Sequence, residues 1–433
     1  MSQYLDRTIE PPVSGFSQIS IPYPELFILP NGVEIYAIDA GDQPVNRITV
    51  SYDSGIMNAI IPDALQLSVQ MLREGTTSYS GSEISNTLDY YGAWLKSDVL
   101  TGNTIVSLLS PNKSTSHILP ILKEILLAPT FPIKEFETLR QKRKAQYLLS
   151  QKNVTYIASQ LDKQMVFGED HPINQILNAD EIENLSRDSL MSEYVRAFSR
   201  KPKVFVAGEI KEILPIVLDL FSQFSYDTAA STPIEIIPMQ PVSSQTLIKD
   251  VDAEHQSSIV MSIPTIDRSH EDYISLRLVV MALGGYFGSR LMTNIREDKG
   301  YTYGIQANLY GYREGGVISI STNTAPQYVD AVIKEVKYEM QRLCEQPMEE
   351  DELNVVKNNA MTSLAAILDS PFSIMDHHIS HFHNGTPKDY LEKQIVAIKS
   401  LTKDDVLELS CKYLNEDKLL ISIAKPAEVA GNL

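Results

Sequence analysis

The stretch that most constrains the fold runs from Gly284 to Leu309, GGYFGSRLMTNIREDKGYTYGIQANL. Ser289 occupies an N-cap position ahead of a short amphipathic segment, in which Leu291 and Ile295 lie four residues apart on one helical face. Lys299-Gly300 ends this helix, and the pattern then changes to the alternation of a half-buried strand. The alternate positions are Tyr301, Tyr303, Ile305, Ala307 and Leu309.

A helix that feeds a strand through a tight glycine turn can bring Arg296, in its last turn, close to Tyr303 at the start of the strand. Together they offer a guanidinium fork and a phenolic hydroxyl to one carbonyl or carboxylate. A purely structural interpretation is also open, in which Arg296 suits the negative end of its helix and Tyr303 is a rim aromatic.

The segment GSRLMTNIREDKGYTYGI resembles the second-domain signature of the pitrilysin/insulinase family of metallopeptidases, also called inverzincins. Leu29-Pro30-Asn31-Gly32-Val33 is similar to the family's first strand and turn, and the order of elements agrees over nearly the whole chain. In the family, an Arg and a Tyr at this separation bind the substrate backbone beside the catalytic zinc. The resemblance therefore implies that Arg296 and Tyr303 bind a peptide substrate.

The composition is that of a globular protein, with 43% apolar and 21% charged residues among 433. A formal net charge of −18 argues against binding nucleic acid or an anionic membrane surface. No apolar run is long enough to span a membrane, and the N-terminus shows no secretory signal. We therefore expect a cytoplasmic protein by default, with the periplasm open if the chain is processed. The two cysteines, Cys344 and Cys411, cannot form a disulfide framework or a zinc knuckle.

The chain length suits two domains of about 200 residues each. Residues 226–245 are rich in proline and small polar residues, which predicts a linker between domains at 1–225 and 246–433. In the first domain, Asn31-Gly32 between apolar runs predicts a hairpin. Element order and resemblance predict an α+β fold of two similar domains, each an antiparallel sheet covered by helices. This is the fold of the mitochondrial processing peptidase and insulinase.

The family's zinc motif falls on a helix predicted from Pro62 to Leu72. Active members carry H-x-x-E-H there, with a third ligand, Glu, about 76 residues further on. Alignment on the segment after the motif places Gln66 and Gln70 at the two histidines, Val69 at the general base and Gln146 at the third ligand. A glutamine amide is a poor zinc ligand and Val69 cannot move a proton, so we expect no metal here. Because the helix is apolar on more than one side, we expect Gln66 and Gln70 to have partners inside the protein.

Two further features bear on function. Gly92 to Lys96 resembles the family's turn into the edge strand that pairs with substrate, but Lys96 stands where active members usually have Asn. Four histidines, at 377, 378, 381 and 383, fall within seven residues, and His377 and His381 lie one helical turn apart. Such spacing can bind a transition metal, although surface histidines without function are the favoured interpretation. Serine-hydrolase, Walker and Rossmann motifs do not occur in the sequence.

Three hypotheses follow. The first is the non-metal subunit of a heterodimeric zinc metallopeptidase, with zinc and base in a homologous H-x-x-E-H partner and with Arg296 and Tyr303 binding the peptide and stabilising the oxyanion. This hypothesis needs no cofactor in the chain itself. The second is a catalytically inert pseudo-peptidase that serves as a scaffold or peptide-binding subunit. The third is a metal enzyme that uses the His377–His383 cluster.

Overall fold

A computed structural model of the protein describes residue 8 and residues 21–226, 236–243, 245–252 and 255–427. These residues form a six-stranded and a five-stranded sheet with helices between and around the strands. The predicted α+β class is confirmed. Of the predicted linker, residues 227–235 and 244 lie outside the described part.

The first half of the chain supplies the six-stranded sheet and its helices. In chain order the elements are β1 (Glu25–Ile28), β2 (Glu34–Asp39), β3 (Val45–Tyr52), α1 (Pro62–Met71), α2 (Gly81–Tyr91), β4 (Trp94–Val99), β5 (Thr104–Pro111), α3 (Asn112–Leu127), α4 (Ile133–Ser150), α5 (Val154–Phe167), α6 (Ala179–Glu183), α7 (Arg187–Phe198), β6 (Lys203–Gly208) and α8 (Leu214–Ser222).

The second half supplies the five-stranded sheet. Its elements are β7 (Thr246–Val251), β8 (Ser257–Thr265), α9 (Tyr273–Gly284), a π-helix (Met292–Asp298), β9 (Thr302–Gly311), β10 (Gly316–Thr324), α10 (Val329–Glu345), α11 (Glu350–Ala365), α12 (Pro371–Asn384), α13 (Tyr390–Ser400), α14 (Lys403–Tyr413) and β11 (Leu420–Pro426).

The two sheets have the same topology. The first has the order β1-β2-β6-β3-β5-β4 and the second the order β7-β11-β8-β10-β9, so five strands correspond one to one. Each sheet is antiparallel apart from one parallel pair, β2 with β6 and β7 with β11. Strands β4 and β9 therefore occupy the same edge position in their sheets, and this equivalence places Tyr303 on an edge strand.

The predicted hairpin is formed by β1 and β2, which pair antiparallel. Gly32 has φ +81°, a left-handed conformation that glycine adopts without strain. The Asn31 amide nitrogen donates to the carbonyl oxygens of Phe221 and Phe224, at 2.8 and 2.9 Å. The turn is therefore tied to the C-terminal end of α8 and to the residues directly after it, far away in sequence.

Each sheet is covered on its second face by a helix from the other half of the chain. On β2 and β6, Tyr36 and Phe205 point away from their own helices and pack against Met375 and Ile379 of α12. The Tyr36 ring lies 4.4 Å from the Phe382 ring, centroid to centroid. The guanidinium of Arg47 on β3 donates two hydrogen bonds to the Asp376 carboxylate of α12.

The reciprocal contact is made by α5, which lies across β8 and β11. Val154, Ile157 and Ala158 pack there against Val260 and Ala424. The described part of the linker runs beside the C-terminal end of this helix, where the Val242 N–H donates to the Met165 carbonyl at 2.9 Å. The two halves consequently share apolar packing on both sheets. No helix of the described residues is both long and apolar enough to cross a membrane.

The exchanged helix α12 provides a test of this packing. Met375 is 1% exposed between the halves, and Met375→Ala leaves a cavity there, so we expect a loss of about 2–5 kcal/mol of unfolding free energy. Ser380→Ala, at an exposed position of the same helix, should stay within about 0.5 kcal/mol of the parent. Thermal and urea unfolding measure both. Equal midpoints for the two variants would contradict the packing described.

Candidate functional site

The helix that carries Arg296 begins after Ser289 and widens into the π-helix. Leu291 and Ile295 lie on the inner face of this helix and are fully buried, as the sequence predicts. The helix ends with the Lys299 N–H donating to the Asn294 carbonyl at 3.1 Å, followed by Gly300 at φ +63°. The Ser289 hydroxyl, however, is buried and has no partner among the described residues, so its predicted capping role is wrong. A π-helix is rare and occurs often at functional sites.

Close approach of α9 to β9 brings this segment to the sheet edge. A Cβ built on Gly284 would lie 2.7 Å from both the Cβ and the backbone nitrogen of Ala307. Only glycine permits that approach, because real Cβ atoms do not come so near to backbone. Gly284 thus fixes where the following turn and π-helix stand relative to β9.

Arg296 is partly exposed, with 34% of its side chain accessible. Its guanidinium lies over the Phe287 ring, 4.5 Å from the centroid, and 3.9 Å from the Glu297 carboxylate. The contact with Glu297 is longer than a hydrogen bond, and Phe287 is itself mostly exposed. The guanidinium is therefore held in place by stacking while its N–H groups remain available.

Tyr303 does not share a face with Ile305, contrary to the alternation in the sequence. Thr302 pairs with Thr324 and Ile305 with Thr322, so Tyr303 and Gly304 together stand opposite Asn323. This is a β-bulge, and the extra residue turns the phenol out of the core until it is 92% exposed. Gly304 inside a strand pattern was the sequence signal that could have revealed the bulge.

Buried hydroxyl groups hold the bulge. Thr302 Oγ1 and Thr322 Oγ1 lie 2.8 Å apart, and the Thr322 hydroxyl donates to the Gly304 carbonyl at 2.8 Å. The Gly304 N–H in turn donates to Thr302 Oγ1 at 3.1 Å. The backbone groups that the bulge removes from the ladder are thereby satisfied, which makes Tyr303's outward position a property of the strand itself.

Tyr303 lines a cavity of about 760 Å³ between α5 and the outer face of the second sheet. Met292, at the start of the π-helix, also lines it, whereas Arg296 lies about one turn further along, outside the lining. The walls carry hydrogen-bonding side chains from α5 and from three strands. Among them are Ser159, Asp162, Lys163, Ser258, Gln306, Ser319, Ser321 and Asn323.

Asp162 and Lys163 are the charged groups of this cavity, and the sequence gave no reason to select them. Burial raises the pKa of the Asp162 carboxyl to about 6, and burial lowers the pKa of the Lys163 ammonium. Both shifts follow from removing a charged group from water. The cavity wall opposite Tyr303 therefore carries a carboxyl group and an ammonium group that burial shifts towards their neutral forms.

The positions that correspond to the zinc motif lie on α1 and α4, as the resemblance implies. The two helices are joined by Arg143, whose guanidinium bonds the Asp63 carboxylate, three residues before Gln146 and Gln66 respectively. Val69 is buried and Gln66 half-buried, whereas Gln70 and Gln146 are exposed. The prediction that Gln70 needs an internal partner is thus wrong, because the outer side of α1 faces solvent.

The donor set at these positions does not suit zinc. Three neutral carboxamides and a valine offer neither an imidazole nor a carboxylate, the oxygen and nitrogen ligands that hold zinc in catalytic sites. No group of three or more His, Cys, Asp or Glu side chains within the described residues is placed to hold a metal ion.

The edge strand β4 adjoins α1, and its position agrees with the resemblance. Lys96, the residue that departs from the family pattern, is mostly exposed and pairs with Asp98 at 3.0 Å. The Lys96 ammonium thus lies on an edge strand of the first sheet.

The four histidines are not surface residues, contrary to the favoured interpretation. They lie on α12 and are half-buried or buried. His378 and His383 contact the first half of the chain, whereas His377 and His381 face a cavity within the second half. His378 Nε2 contacts the Pro22 carbonyl oxygen at 2.8 Å, and His383 Nε2 contacts the Ser51 hydroxyl at 2.9 Å. Burial lowers the pKa of His377, His381 and His383 to about 4, so these rings are neutral at pH 7. The contacts of His378 and His383 are thus part of the packing between the two halves.

The chain is similar to proteins described as peptidases and to a peptidase homologue. Residues 198–360 match the family described as the peptidase M16 inactive domain. The non-peptidase homolog YmxG of Helicobacter pylori is 23% identical over 350 residues, which are 79% of each chain. The uncharacterized zinc protease YmxG of Bacillus subtilis is 21% identical over 309 residues, 70% of this chain and 74% of the relative.

Solved structures agree on the fold. The peptidase M16 inactive domain from Pseudomonas fluorescens superimposes with a TM-score of 0.83 at 20% identity, covering 93% of this chain and 98% of that one. A protease from Helicobacter pylori gives 0.82 at 15% identity, covering 94% and 100%. The fold is that of a solved M16 inactive-domain structure over 93% of the chain, and residues 198–360 match the M16 inactive-domain family. Positions 66, 69, 70 and 146 hold no zinc-binding side chain.

The hydroxyl network of the bulge is testable. Thr322→Val keeps the shape of the side chain but removes the donor to the Gly304 carbonyl, so we expect a loss of about 1–3 kcal/mol in unfolding free energy. Ser321→Ala, at the next position of the same strand, should change it by less than about 0.5 kcal/mol. Urea titrations of both variants give the comparison. If Thr322→Val matches the parent, the hydroxyls do not hold the bulge.

Asp162 predicts a pH dependence of stability. Because its folded pKa is raised above the ordinary value, its contribution favours the fold at low pH and is lost as the pH rises from about 4 through about 6. Asp162→Asn should therefore raise the free energy of unfolding relative to the parent at pH 7.5, by on the order of 1–2 kcal/mol after allowance for solvent, and have little effect at pH 4, as urea titrations at the two pH values measure. Asp170→Asn, at an exposed position, is the control. An equal effect of Asp162→Asn at both pH values would refute the assignment.

Proposed function

We propose that this chain is the non-metal subunit of a heterodimeric zinc metallopeptidase. Its partner would be a homologous chain with an intact H-x-x-E-H motif, which would supply the zinc and the general base. The present chain would supply Arg296 and Tyr303 from the opposite wall of a shared chamber and would bind the peptide backbone there.

The observation that carries this proposal is the outward position of Tyr303. A buried threonine pair and a bulge keep a large aromatic side chain 92% exposed at the edge of a cavity. Folding alone does not favour such an arrangement, because it removes ladder hydrogen bonds and leaves a phenol in solvent. The Tyr303 hydroxyl is free to meet a ligand.

The chemistry fits a peptide. A phenol and a guanidinium both donate hydrogen bonds, so a carbonyl or carboxylate oxygen can accept from both. When a carbonyl becomes a tetrahedral oxyanion, each donor gains strength because the acceptor is then charged. Arg296 and Tyr303 would thus orient the peptide first and stabilise the oxyanion afterwards. The polar walls of the cavity offer further partners for backbone N–H and C=O groups.

A second function is supported by a different observation. Gln66, Val69, Gln70 and Gln146 leave no zinc ligand at the motif positions, and one relative is described as a non-peptidase homolog. A catalytically inert chain that scaffolds or binds peptide in a larger assembly would show the same losses. A chain that is only a scaffold has no chemical use for the pair of Arg296 and Tyr303, and the presence of both residues therefore favours the catalytic-accessory function.

Reconstitution with a partner that carries H-x-x-E-H tests the proposal. Arg296→Ala or Tyr303→Phe should lower turnover of a quenched peptide by on the order of 100-fold, while size-exclusion chromatography shows the pair intact. Arg296→Lys should rescue only part of the loss, since an ammonium keeps the charge but not the fork. Tyr338→Phe, another exposed phenol of the same half, should leave turnover unchanged.

The outcomes separate the two functions. Turnover that stays at the parent level in both Arg296→Ala and Tyr303→Phe would assign the chain to the scaffold class. Cleavage by the isolated chain, abolished by a chelator, would overturn both functions.

A further inference from the structure

A second cavity, of about 580 Å³, lies behind β9 on the helix side of the second sheet. Its walls come from β9, α9, α11, α12 and α13, so it belongs to the second half of the chain alone. Tyr303 and Arg296 do not line it. A ligand in this cavity would not contact the two residues of the function proposed above, so its binding is independent of that function.

Two guanidinium groups face this cavity and no carboxylate lines it. Arg268 donates from Nε to the Gly311 carbonyl at 3.1 Å, and neither Arg268 nor Arg277 forms an ion pair with a described residue. In a chain with a net charge of −18, two arginines without an acidic partner beside one cavity are unexpected. Arginine is the residue best suited to hold a carboxylate or phosphate through two parallel hydrogen bonds.

Aromatic and histidine side chains complete the polar end of the cavity. Arg268 and Arg277 lie close enough to the phenols of Tyr273 and Tyr390 for their positive charges to act on the pKa of both phenols, in the lowering direction. The His381 ring is 5.2 Å from the Tyr390 ring, centroid to centroid. These groups can donate hydrogen bonds to an anion without adding charge, since burial holds the pKa of His381 at about 4.

Gln394 provides an independent sign of a missing ligand. The residue is 6% exposed and lines the cavity, and its carboxamide oxygen is buried without a hydrogen bond to any described residue. A buried amide oxygen without a donor is costly, so native proteins rarely leave one. A ligand that carries a donor beside its anionic group would satisfy both Gln394 and the arginines.

The rest of the wall is mixed. Its apolar part is formed by Ile274, Leu278, Met281, Leu364, Ile367 and Ile398, and Asn308, Ser363, His377 and Ser380 add polar side chains. A cavity in which polar groups converge beside an apolar surface is a usual form of small-molecule site. An inorganic anion would leave this apolar surface without contacts.

From these observations we propose that the cavity binds a small organic carboxylate with an apolar body and a hydrogen-bond donor next to the carboxylate, as in the C-terminal residue of a peptide. The carboxylate lies between Arg268 and Arg277, the adjacent N–H donates to Gln394, and the side chain fills the apolar end.

N-acetyl-phenylalanine and its neutral amide form a matched pair of probes for this site. Calorimetric titration of the full chain should show binding of the acid, with the amide weaker by about 10-fold or more because it lacks the charge. Arg277→Gln should weaken the acid by a similar factor of about 10, and Arg277→Lys by less. Arg277 is exposed, so the variants should keep the fold, which circular dichroism verifies.

Lys334→Gln removes one positive charge from an exposed position of the same half and should leave the affinity unchanged. Equal affinities for acid and amide, no heat of binding at millimolar acid, or full affinity in Arg277→Gln would each overturn the proposal. Inorganic phosphate that binds as tightly as the acid and displaces it would overturn the assignment of an organic carboxylate.

Discussion

The reciprocal exchange of helices between the two halves is the constraint on which the rest of the structure depends. A sheet that carries apolar residues on both faces must be covered by other elements on both faces. Each sheet here obtains its second covering layer from the other half of the chain. Helix α12 covers the first sheet through Met375 and Ile379, and α5 covers the second through Val154 and Ile157. The halves therefore cannot separate without exposing apolar surface on both sheets.

This exchange also creates the candidate site. The cavity beside Tyr303 exists because α5 lies across β8 and β11 and leaves space in front of β9 and β10. The same exchange buries His378 and His383 of α12, and burial lowers the pKa of both rings. Two histidines of a cluster that resembles a metal site in the sequence are thus part of the packing between halves.

The two sides of the molecule differ in the side chains at the positions that the family resemblance selects. On α1 and α4 these positions hold carboxamides and a valine. On the π-helix and β9 they hold an arginine and a tyrosine, and buried threonines support the bulge that exposes the tyrosine. Support of this kind is what a binding residue needs, since its position must be set by the surrounding structure.

The sequence by itself determined the α+β class, the Asn31-Gly32 hairpin, the helix ending at Lys299-Gly300 and the absence of zinc-binding side chains at positions 66, 69, 70 and 146. The hairpin and the helix end follow from local periodicity and turn chemistry, whereas the fold class and the four positions rest also on the resemblance to a known family. Only the tertiary structure decided that Tyr303 leaves the face of Ile305, that Gln70 faces solvent and that the histidines are half-buried or buried. The position of Tyr303 depends on Thr322 across the ladder, and the burial of His378 and His383 depends on the first half of the chain. Local patterns cannot specify which distant surface an element meets, because that choice is made by the packing of the whole chain.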